Sequence, residues 1–353
     1  MEQKVIIVGG GLAGLLLANG LKKNNIPFEV YERDLGEDTR AQGWSLSLHF
    51  AIQAIKECMP ESSFENFTEK VTVSQGKSDD CQVTMTMVNG NTNEVVLSET
   101  YEKDSFYRIE RHRFRNWLLE PVKESVHWGK RLVRFEETGE SVTAFFEDGT
   151  TAMGTLLVAA DGAQSKITKQ VVGDAYNKLT YVLPLHMLGT SVWVSEEDWL
   201  SVMSNPNKFL LVATTFDESV KEAQGRKGNL SCFSSLQTID KTRKDKPYKI
   251  LFTMAIMEDE DVFPKTLNKT NEERLALMRS WLKLGLNKNS IFHKLVIEDL
   301  DASTEISEVV IREREPSFEA YQTKHHRVVL VGDAAHPMSM FRGEGMLLFK
   351  KKS

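Results

Sequence analysis

The chain has little cysteine, with only three among its 353 residues, at Cys58, Cys81 and Cys232. These cysteines lie far apart, form no C-x-x-C pair, and would leave one thiol over if two of them were joined. A disulfide framework of the kind that small secreted domains use is therefore excluded. A reducing compartment fits this cysteine usage best, and we expect the protein to be cytoplasmic.

An excess of positive charge is also missing. The chain carries 44 lysines and arginines against 50 acidic side chains, which gives a net charge of −6 at pH 7. No overall field therefore attracts the protein to nucleic acid or to an anionic membrane surface. We expect a small-molecule partner, and neither nucleic acid nor a membrane.

Long hydrophobic runs are absent outside residues 5–21, and glycines interrupt that stretch where a strand must turn into a helix. Lys22 and Lys23 follow it directly, and no cleavage site of small residues is present. This pattern indicates part of a fold rather than a secretory signal or a membrane span. Internal repeats and low-complexity tracts are missing as well, which argues against a solenoid or a disordered tail.

Motifs for metal binding and for nucleophilic catalysis are also absent. The sequence has no cluster of histidine and cysteine residues with metal-ligand spacing and no G-x-S-x-G. We therefore predict no metal site and no protein nucleophile. Single residues that could polarise a phenol (Tyr181, His186, Arg226 and Tyr248) are better explained as core or surface residues, and none is assigned a catalytic role.

The most informative feature that is present is a glycine-rich turn after the first predicted strand. Residues 9–14 read GGGLAG, which is the pattern G-x-G-x-x-G. In a dinucleotide-binding unit, Gly9 permits the tight turn, Gly11 lets the backbone approach a pyrophosphate, and Gly14 lets the helix lie close to the strand. The N-terminus of the following helix then offers free N–H groups to the phosphates.

The context of this turn strengthens a motif that is weak on its own. A helix is predicted over residues 12–23, and a second strand over residues 28–31 ends at Glu32, eighteen positions after Gly14. An acidic residue near this spacing accepts hydrogen bonds from ribose hydroxyls and favours a free 2′-hydroxyl, as in NAD or the adenosine half of FAD. The alternative is that Glu32 is an exposed glutamate at the end of a strand.

The residues that follow differ from those of a nicotinamide dehydrogenase, which would continue with further βα units. After residues 41–46 the pattern changes to strands and turns, and residues 74–102 predict a hairpin with its turn at residues 89–91. Residues 249–256 predict another strand, and residues 272–286 predict a helix. A sheet is therefore expected to interrupt the dinucleotide-binding unit early.

Arg111 is a charged residue on a predicted helix that is otherwise apolar on one face. It lies three positions before Phe114 and seven before Leu118, hence on the same face as both. A guanidinium there needs an anion or carbonyl oxygens, and a cofactor phosphate or a flavin edge would serve. The alternatives are an internal ion pair or a surface arginine that buries only its stem.

Two further segments place a carboxylate beside a glycine at the end of a predicted buried strand. The first segment ends in Asp161-Gly162, and the second, residues 327–331, leads into Gly332-Asp333. Ligands of α/β sheets bind at the carboxyl ends of the strands. Both motifs are therefore expected near the ligand that the glycine turn holds.

Taken in this order, the glycine turn, the Asp161-Gly162 motif and the Gly332-Asp333 motif resemble those of the aromatic-hydroxylase-type FAD monooxygenases, the fold family of p-hydroxybenzoate hydroxylase. The resemblance covers essentially the whole chain. It implies an α/β fold in which a Rossmann-type FAD-binding domain carries an inserted mixed β-sheet substrate domain. The implied FAD-binding segments are residues 1–75, 102–172 and 322–353, and the implied substrate segments are residues 76–101 and 173–321.

The resemblance also implies an activity. In this family NAD(P)H visits transiently and reduces FAD, O2 adds to the reduced flavin to give a C4a-hydroperoxide, and the distal oxygen passes to the substrate. The expected enzyme is an FAD-dependent monooxygenase that hydroxylates or epoxidises a small aromatic or secondary-metabolite substrate. An FAD halogenase or a simple oxidase is a lesser alternative, and the lysine and tryptophan motif of halogenases is not found.

The family assigns its FAD contacts by position. The glycine turn and Glu32 hold the ADP half, Arg111 contacts FAD, Asp161 lies near the pyrophosphate, and Asp333 lies on the ribityl chain. The complete set of implied cofactor contacts is Gly9, Gly11, Gly14, Glu32, Arg33, Gly43, Arg111, Asp161, Gly162, Gly332, Asp333 and Gly345.

Two departures from the family pattern stand out. Lys166 follows Ser165 where the family usually has an arginine, and Met340 stands where a proline is expected. After Gly345 only eight residues follow, which is too short for the family's closing helix. As an alternative function we therefore hypothesise a truncated FAD-binding remnant with little or no monooxygenase activity.

Overall fold

A computed structural model gives the fold of the chain. It describes residues 3–39, 44–49, 51–76, 82–204, 207–215, 229–257, 266, 268–288, 293, 300–301 and 303–339. Among these residues, none of the helices has both the length and the apolar composition needed to cross a membrane.

The described strands and helices are numbered in chain order. The strands are β1 Val5–Val8, β2 Phe28–Tyr31, β3 Ser45–Leu48, β4 Thr84–Asn89, β5 Val95–Thr100, β6 Tyr107–Glu110, β7 Val126–His127, β8 Leu132–Glu137, β9 Val142–Phe146, β10 Thr151–Gly154, β11 Leu156–Ala159, β12 Thr180–Val182, β13 Leu185–Val194, β14 Lys208–Thr215, β15 Asn229–Ile239, β16 Tyr248–Met257, β17 Ser307–Glu308, β18 Arg312–Arg314 and β19 Val328–Leu330. The helices are α1 Leu12–Lys23, α2 Ala51–Cys58, α3 Phe67–Val71, α4 Arg111–Leu119, α5 Lys166–Val172, α6 Tyr176–Leu179, α7 Glu196–Met203 and α8 Asn271–Gly285. Short 3₁₀ turns lie at Glu61–Phe64, Glu120–Ser125, Gly173–Ala175 and Gly332–Ala334.

A parallel sheet forms the centre of the first layer of the molecule. Its five strands lie in the order β19-β11-β1-β2-β7, and every neighbouring pair is parallel. The central β1 reads VIIV and is buried along its whole length, as the continuous β-branched run predicts. The carboxyl ends of the strands therefore meet at one edge of this sheet.

The two faces of the parallel sheet are covered differently. Ile7 of β1 packs in a cluster with Leu15 of α1 and Leu118 of α4, whereas Ile6 packs in another with Phe135 and Phe146 of the antiparallel sheet β10-β9-β8. Successive strand residues point to opposite faces, so one β-branched run supplies both layers. The result is a Rossmann-type unit with helices on one face and a small sheet on the other.

The strand before Gly332 is an edge strand, which corrects the prediction of a strand buried on both faces. Val328 is buried, but Val329 is 44% exposed. An edge strand has a neighbouring strand on one side only, so side chains on its two faces have fewer neighbours to bury them. The hydrophobic run alone did not distinguish a central strand from this position.

The second sheet is mixed and has seven strands, in the order β17-β13-β16-β15-β14-β4-β5. All its pairs are antiparallel except β14 and β4, which are parallel. The strands β4 and β5 form the predicted hairpin. One face of the sheet packs against α7 and α8 through a cluster that includes Trp199, Phe252, Met278 and Leu282.

Residues 51–71 form two helices, α2 and α3, where the sequence pattern was interpreted as strands and turns. The pattern is nevertheless helical, because the buried residues recur four positions apart, as with Ile55 and Met59, and with Phe67 and Val71. Both helices are short, so each has too few apolar positions to make the period obvious. Apart from these helices, the α/β architecture is the predicted one: a Rossmann-type unit with an inserted mixed sheet.

Candidate cofactor site

A cavity of about 340 Å³ opens at the carboxyl ends of the central parallel strands. It is bordered by the glycine turn after β1, by the residues after β2, by the N-terminal half of α4, by residues 130–132 at the start of β8, and by the loop after β11 together with α5. These segments are far apart in sequence and are brought together by the strand order. The cavity is therefore positioned by the sheet itself, at the edge where α/β folds bind ligands.

Each glycine that the G-x-G-x-x-G pattern specifies has its own steric reason. Gly9 has φ +115°, and a Cβ on it would lie 2.3 Å from the carbonyl oxygen of Ala160. A Cβ on Gly14 would lie 2.1 Å from the carbonyl oxygen of Gly9. A Cβ on Gly11 would meet no described atom within 4 Å, because this residue faces the cavity. Gly9 and Gly14 thus permit the turn and the helix contact, and Gly11 leaves space for a ligand.

Glu32 lies at the end of β2 and is only 8% exposed, which rules out an exposed strand-end glutamate. Its Oε2 accepts a hydrogen bond from the backbone N–H of Gly10 at 2.6 Å, and its Oε1 accepts one from that of Asp34 at 2.9 Å. The carboxylate therefore fixes the glycine turn while it borders the cavity. This second role was not part of the sequence prediction. The neighbouring Arg33 is exposed and also borders the cavity.

Arg111 is the first residue of α4 and borders the cavity. It is half-buried, whereas Phe114 and Leu118, three and seven positions later on the same helix, are buried. Side chains on a helix lean toward its N-terminus, and at the first position this carries the guanidinium past the helix end. Burial lowers the pKa of Arg111, and the charge of Asp333 opposes that shift.

Arg115 is a cavity residue that the sequence analysis missed. Its Nε donates to the carbonyl oxygen of Gly10 at 2.9 Å, its Nη1 donates to that of Glu37 at 3.1 Å, and its guanidinium lies over the ring of Trp128. Its spacing from Arg111 could have identified it, because residues four positions apart on a helix share a face and Arg111 was already a predicted cofactor contact. Arg115 attaches α4 to the glycine turn.

The cavity has a local excess of positive charge although the whole chain is acidic. Seven cationic side chains border it, against four anionic ones. The cationic residues are Arg33, Arg111, Arg115, Lys130, Arg131, Lys166 and Lys169, and the anionic residues are Glu32, Asp34, Glu37 and Asp161. The first turn of α1 adds to this field, because Gly11 caps it without a side-chain hydrogen bond and no acidic residue lies there. Such a site suits a diphosphate.

The loop after β11 contributes Asp161 and Gly162 to the cavity wall. The Oδ2 of Asp161 accepts a hydrogen bond from the backbone N–H of Lys166 at 3.0 Å, and within the described part of the chain its buried Oδ1 accepts none. Burial raises the pKa of Asp161, whereas the polar groups of Ser165 and Lys166 favour its charged form. Gly162 has φ +87°, a conformation that glycine adopts without strain.

Gly332 and Asp333 lie beside the cavity rather than in its wall. Gly332 has φ +57°, and a Cβ on it would lie 2.9 Å from the Cβ of Ala13 in α1. Asp333 is exposed and acts electrostatically on Arg111. Gly43 and Gly345, the two other predicted contacts, lie outside the described residues.

No protein-family model matches the chain. The chain is 30% identical to the FAD-dependent monooxygenase dbaB of Emericella nidulans over 352 residues, which cover 96% of the chain and 82% of that protein. The chain belongs to the FAD-dependent monooxygenases. The FAD-dependent monooxygenase thnD of Trichoderma harzianum is 29% identical over 344 residues, which cover 97% of the chain and 78% of that protein.

The fold of this FAD-dependent monooxygenase also matches solved structures. The structure of HpxO from Klebsiella pneumoniae in complex with FAD and uric acid superimposes with a TM-score of 0.67 at 19% identity, over 96% of the chain and 74% of that protein. FAD is the cofactor of the family, and the cavity fits it, because Gly11 leaves open space beside a cationic wall and an uncapped helix N-terminus. Among the described residues, no group of histidine, cysteine and carboxylate side chains could hold a metal ion.

Replacing Asp161 by asparagine is expected to stabilise the apo-monooxygenase at neutral pH. The folded-state pKa of Asp161 is raised, so the folded chain holds this proton more tightly than the unfolded chain. The free energy of unfolding therefore decreases as the pH rises from the ordinary pKa of aspartate to the raised pKa of Asp161 in the folded chain. Asp161→Asn cannot ionise and so avoids this decrease. Its amide oxygen can still accept from Lys166. Urea unfolding at neutral and at mildly acidic pH measures the difference, and an equal difference at both pH values would contradict ionisation as its source.

Proposed function

We propose that this chain uses FAD, NAD(P)H and O2 to hydroxylate or epoxidise a small aromatic or secondary-metabolite substrate. The observation that carries the proposal is the cationic cavity at Gly11, built at the sheet edge in a chain that belongs to the FAD-dependent monooxygenases. When bound, FAD supplies the redox chemistry, in which NAD(P)H provides two electrons, O2 is activated, one oxygen atom enters the substrate and the other leaves as water.

The ADP half of FAD would be held by the glycine turn and the end of β2. The free N–H groups at the start of α1 would donate to the pyrophosphate, and the missing side chain of Gly11 would let it approach the backbone. Glu32 keeps two backbone hydrogen bonds and borders the cavity, so it can also accept hydrogen bonds from ribose hydroxyls. Its position favours an unphosphorylated ribose, as in FAD. Arg33 adds positive charge at the same rim.

The other half of FAD would extend from this cavity toward Arg111 and Asp333. Asp161 and Gly162 border the passage next to the pyrophosphate, and Gly332 brings Asp333 close to the start of α1. The charges of Arg111 and Asp333 influence each other. Arg111 would bind an electron-rich edge of the cofactor, and Asp333 would accept hydrogen bonds from its ribityl hydroxyls.

The substrate would lie where the mixed sheet meets the cofactor unit. Trp44 joins the two, because its carbonyl oxygen accepts a hydrogen bond from the N–H of Arg111 at 3.3 Å and its indole lies against Gly189 of β13. The two contacts connect Gly189 of the mixed sheet to Arg111 through Trp44, which supports a substrate position near this junction. We propose residues 76–101 and 173–321 as the substrate domain, and residues 1–75, 102–172 and 322–353 as the FAD-binding domain.

The protein's own part in the reaction is to bind, to orient and to exclude water. Arg111 and the cationic wall would hold the cofactor, and the mixed sheet together with Trp44 would enclose the substrate. A dry site favours transfer of oxygen to the substrate over its loss as hydrogen peroxide. No side chain is assigned as an acid or a base.

The test is an oxygen-labelling experiment on the purified, FAD-loaded protein. Mono-, bi- and tricyclic phenols are offered with NADH or NADPH under ¹⁸O₂, and products are analysed by mass spectrometry. The expected result is faster NAD(P)H oxidation with at least one phenol and one ¹⁸O atom in its product, with no label when only the water carries ¹⁸O. Oxidation of NAD(P)H that yields only hydrogen peroxide with every phenol would contradict the proposal and support the remnant alternative.

A further inference from the structure

Arg314 is a buried arginine at the end of β18 that no part of the proposed function uses. Its side chain and backbone together are 3% exposed. The strand β18 pairs with β12 through Thr180 opposite Arg314, in the region that follows the Asp161-Gly162 loop. A buried guanidinium is costly unless its donors are satisfied, so its partners show what it stabilises.

The guanidinium of Arg314 donates to two carbonyl oxygens that belong to two different cofactor loops. Its Nη1 donates to the carbonyl oxygen of Ala334 at 2.6 Å, and its Nη2 donates to that of Ala163 at 3.0 Å. Ala334 directly follows Asp333, and Ala163 directly follows Gly162. One planar group therefore connects the Gly-Asp turn to the Asp-Gly loop.

The remaining contacts hold this guanidinium in one orientation. Its Nε donates to Oγ1 of Thr180 at 2.8 Å, and its Nη2 also donates to the hydroxyl of Tyr176 at 3.0 Å. The ring of Tyr176 lies 4.8 Å from the guanidinium carbon. Four hydrogen bonds and one ring contact define the plane of the guanidinium. The planar, rigid donors of arginine can hold such a fixed orientation, whereas the single ammonium group of lysine cannot.

The two loops need such a connection. The strands β11 and β19 are hydrogen-bonded neighbours, but the ladder ends at Ala159 and Leu330, before either carboxylate. Beyond that point the backbone turns through Gly162 and Gly332, both with positive φ. Thr168 adds a hydrogen bond from its hydroxyl to the carbonyl oxygen of Ala334 at 2.8 Å. The spacing between the two carboxylates is therefore set by side chains rather than by the sheet.

We propose that Arg314 is a positioning residue for FAD, which fixes the distance between the Asp161-Gly162 loop and the Gly332-Asp333 turn. The proposal rests on the cofactor roles proposed for these two motifs. Arg314 acts through the loops and does not touch the cofactor. It also couples the strand pair β12 and β18 to the cofactor site, because a shift of β18 moves both loops together.

The test compares Arg314→Lys with Arg327→Lys as a matched control. Arg327 also bridges two carbonyl oxygens, those of Thr155 and Gly139, but it does not border the cavity. Both variants lose a guanidinium bridge, so the Tm of the apo-protein should fall in both, and it should fall further for Arg314→Lys because Arg314 makes more hydrogen bonds. Only Arg314→Lys is expected to weaken FAD binding, by about tenfold, the effect of losing one charge-assisted hydrogen bond.

The readouts are the Kd of FAD, from flavin fluorescence during titration with apo-protein, and the visible circular dichroism of the bound flavin. If Arg314 only stabilised the fold, the dichroism of the bound flavin would stay unchanged in Arg314→Lys. If Arg314 positions the Asp161-Gly162 loop and the Gly332-Asp333 turn, their displacement should alter this signal. Equal FAD affinity for Arg314→Lys and wild type, or an equal loss of FAD affinity for Arg327→Lys, would overturn the proposal.

If Arg314→Lys does not fold, Thr180→Val provides the test instead. It removes the hydrogen-bond partner of Nε of Arg314 and should weaken FAD binding about threefold. A wild-type protein that binds no FAD would refute the proposed function itself.

Discussion

Replacing Gly11 by alanine is expected to weaken FAD binding about a hundredfold, equivalent to about 2.8 kcal/mol, while the apo-protein stays as stable as wild type. The added Cβ would meet no described atom within 4 Å, so the folded chain accommodates it. Gly11 has φ −82°, an ordinary conformation for alanine. The same Cβ would occupy cavity space where the pyrophosphate must approach the backbone. Titration with FAD measures the affinity, and urea unfolding of the apo-protein measures the stability.

Gly9→Ala is the matched control for this experiment. Its Cβ would lie 2.3 Å from the carbonyl oxygen and 2.5 Å from the carbonyl carbon of Ala160, both of them backbone atoms. The positive φ of Gly9 adds strain. This variant should lose about 3 kcal/mol or more of apo-protein stability, together with FAD binding. The idea that Gly11 faces the ligand fails if Gly11→Ala and Gly9→Ala lower stability equally, or if Gly11→Ala binds FAD normally.

Arg111→Met is the second substitution with a large expected effect. Within the described residues the guanidinium of Arg111 makes no hydrogen bond to a side chain or a carbonyl, although burial lowers its pKa and therefore opposes its charge. Methionine removes this unfavourable burial, so the apo-protein should be at least as stable as wild type. FAD affinity should fall about thirtyfold, because a charge-assisted hydrogen bond is worth about 2 kcal/mol.

Arg113 provides the control two residues further along α4. It is also partly buried with a lowered pKa, but its Nη2 donates to the carbonyl oxygen of Thr72 at 2.6 Å and its Nη1 to Oγ1 of Thr238 at 3.2 Å. Arg113→Met should therefore lower the free energy of unfolding by about 1–3 kcal/mol and leave FAD affinity unchanged. If instead Arg111→Met lowered the free energy of unfolding and Arg113→Met lowered FAD affinity, the assignment of Arg111 to the cofactor site would be wrong.

Sequence reasoning located the Rossmann turn because its determinants are local. The strand Val5–Val8, the glycines and the helix Leu12–Lys23 follow one another directly, and each residue type has one steric reason to be there. The pattern of a carboxylate beside a glycine at a strand end then identified Asp161 and Asp333, which are distant in sequence, and the family resemblance assigned both to FAD. Their nearness in the fold depends on strand order, which places β11 and β19 side by side and which no local pattern specifies.

The side chains that were missed act through contacts between distant segments. The two hydrogen bonds of Arg115 and two of the four hydrogen bonds of Arg314 run to backbone carbonyls, which carry no sequence signal. The helical spacing put Arg111 in phase with Phe114 and Leu118, but spacing alone did not show that the first residue of the helix borders the cavity. Glu32 was identified as a ligand residue, but its hydrogen bond to Gly10 depends on how the turn closes over β2.

The strand order of the parallel sheet has a consequence for how the protein is made. The strand β11 has β1 on one side and β19 on the other, and β19 begins at Val328, about 170 residues later. A ribosome emits the glycine turn first and the Gly332-Asp333 turn about 320 residues later. The FAD site proposed above is therefore incomplete while the intervening mixed sheet is still being synthesised, and we expect the nascent polypeptide to acquire its flavin late, in a single step that joins these two turns.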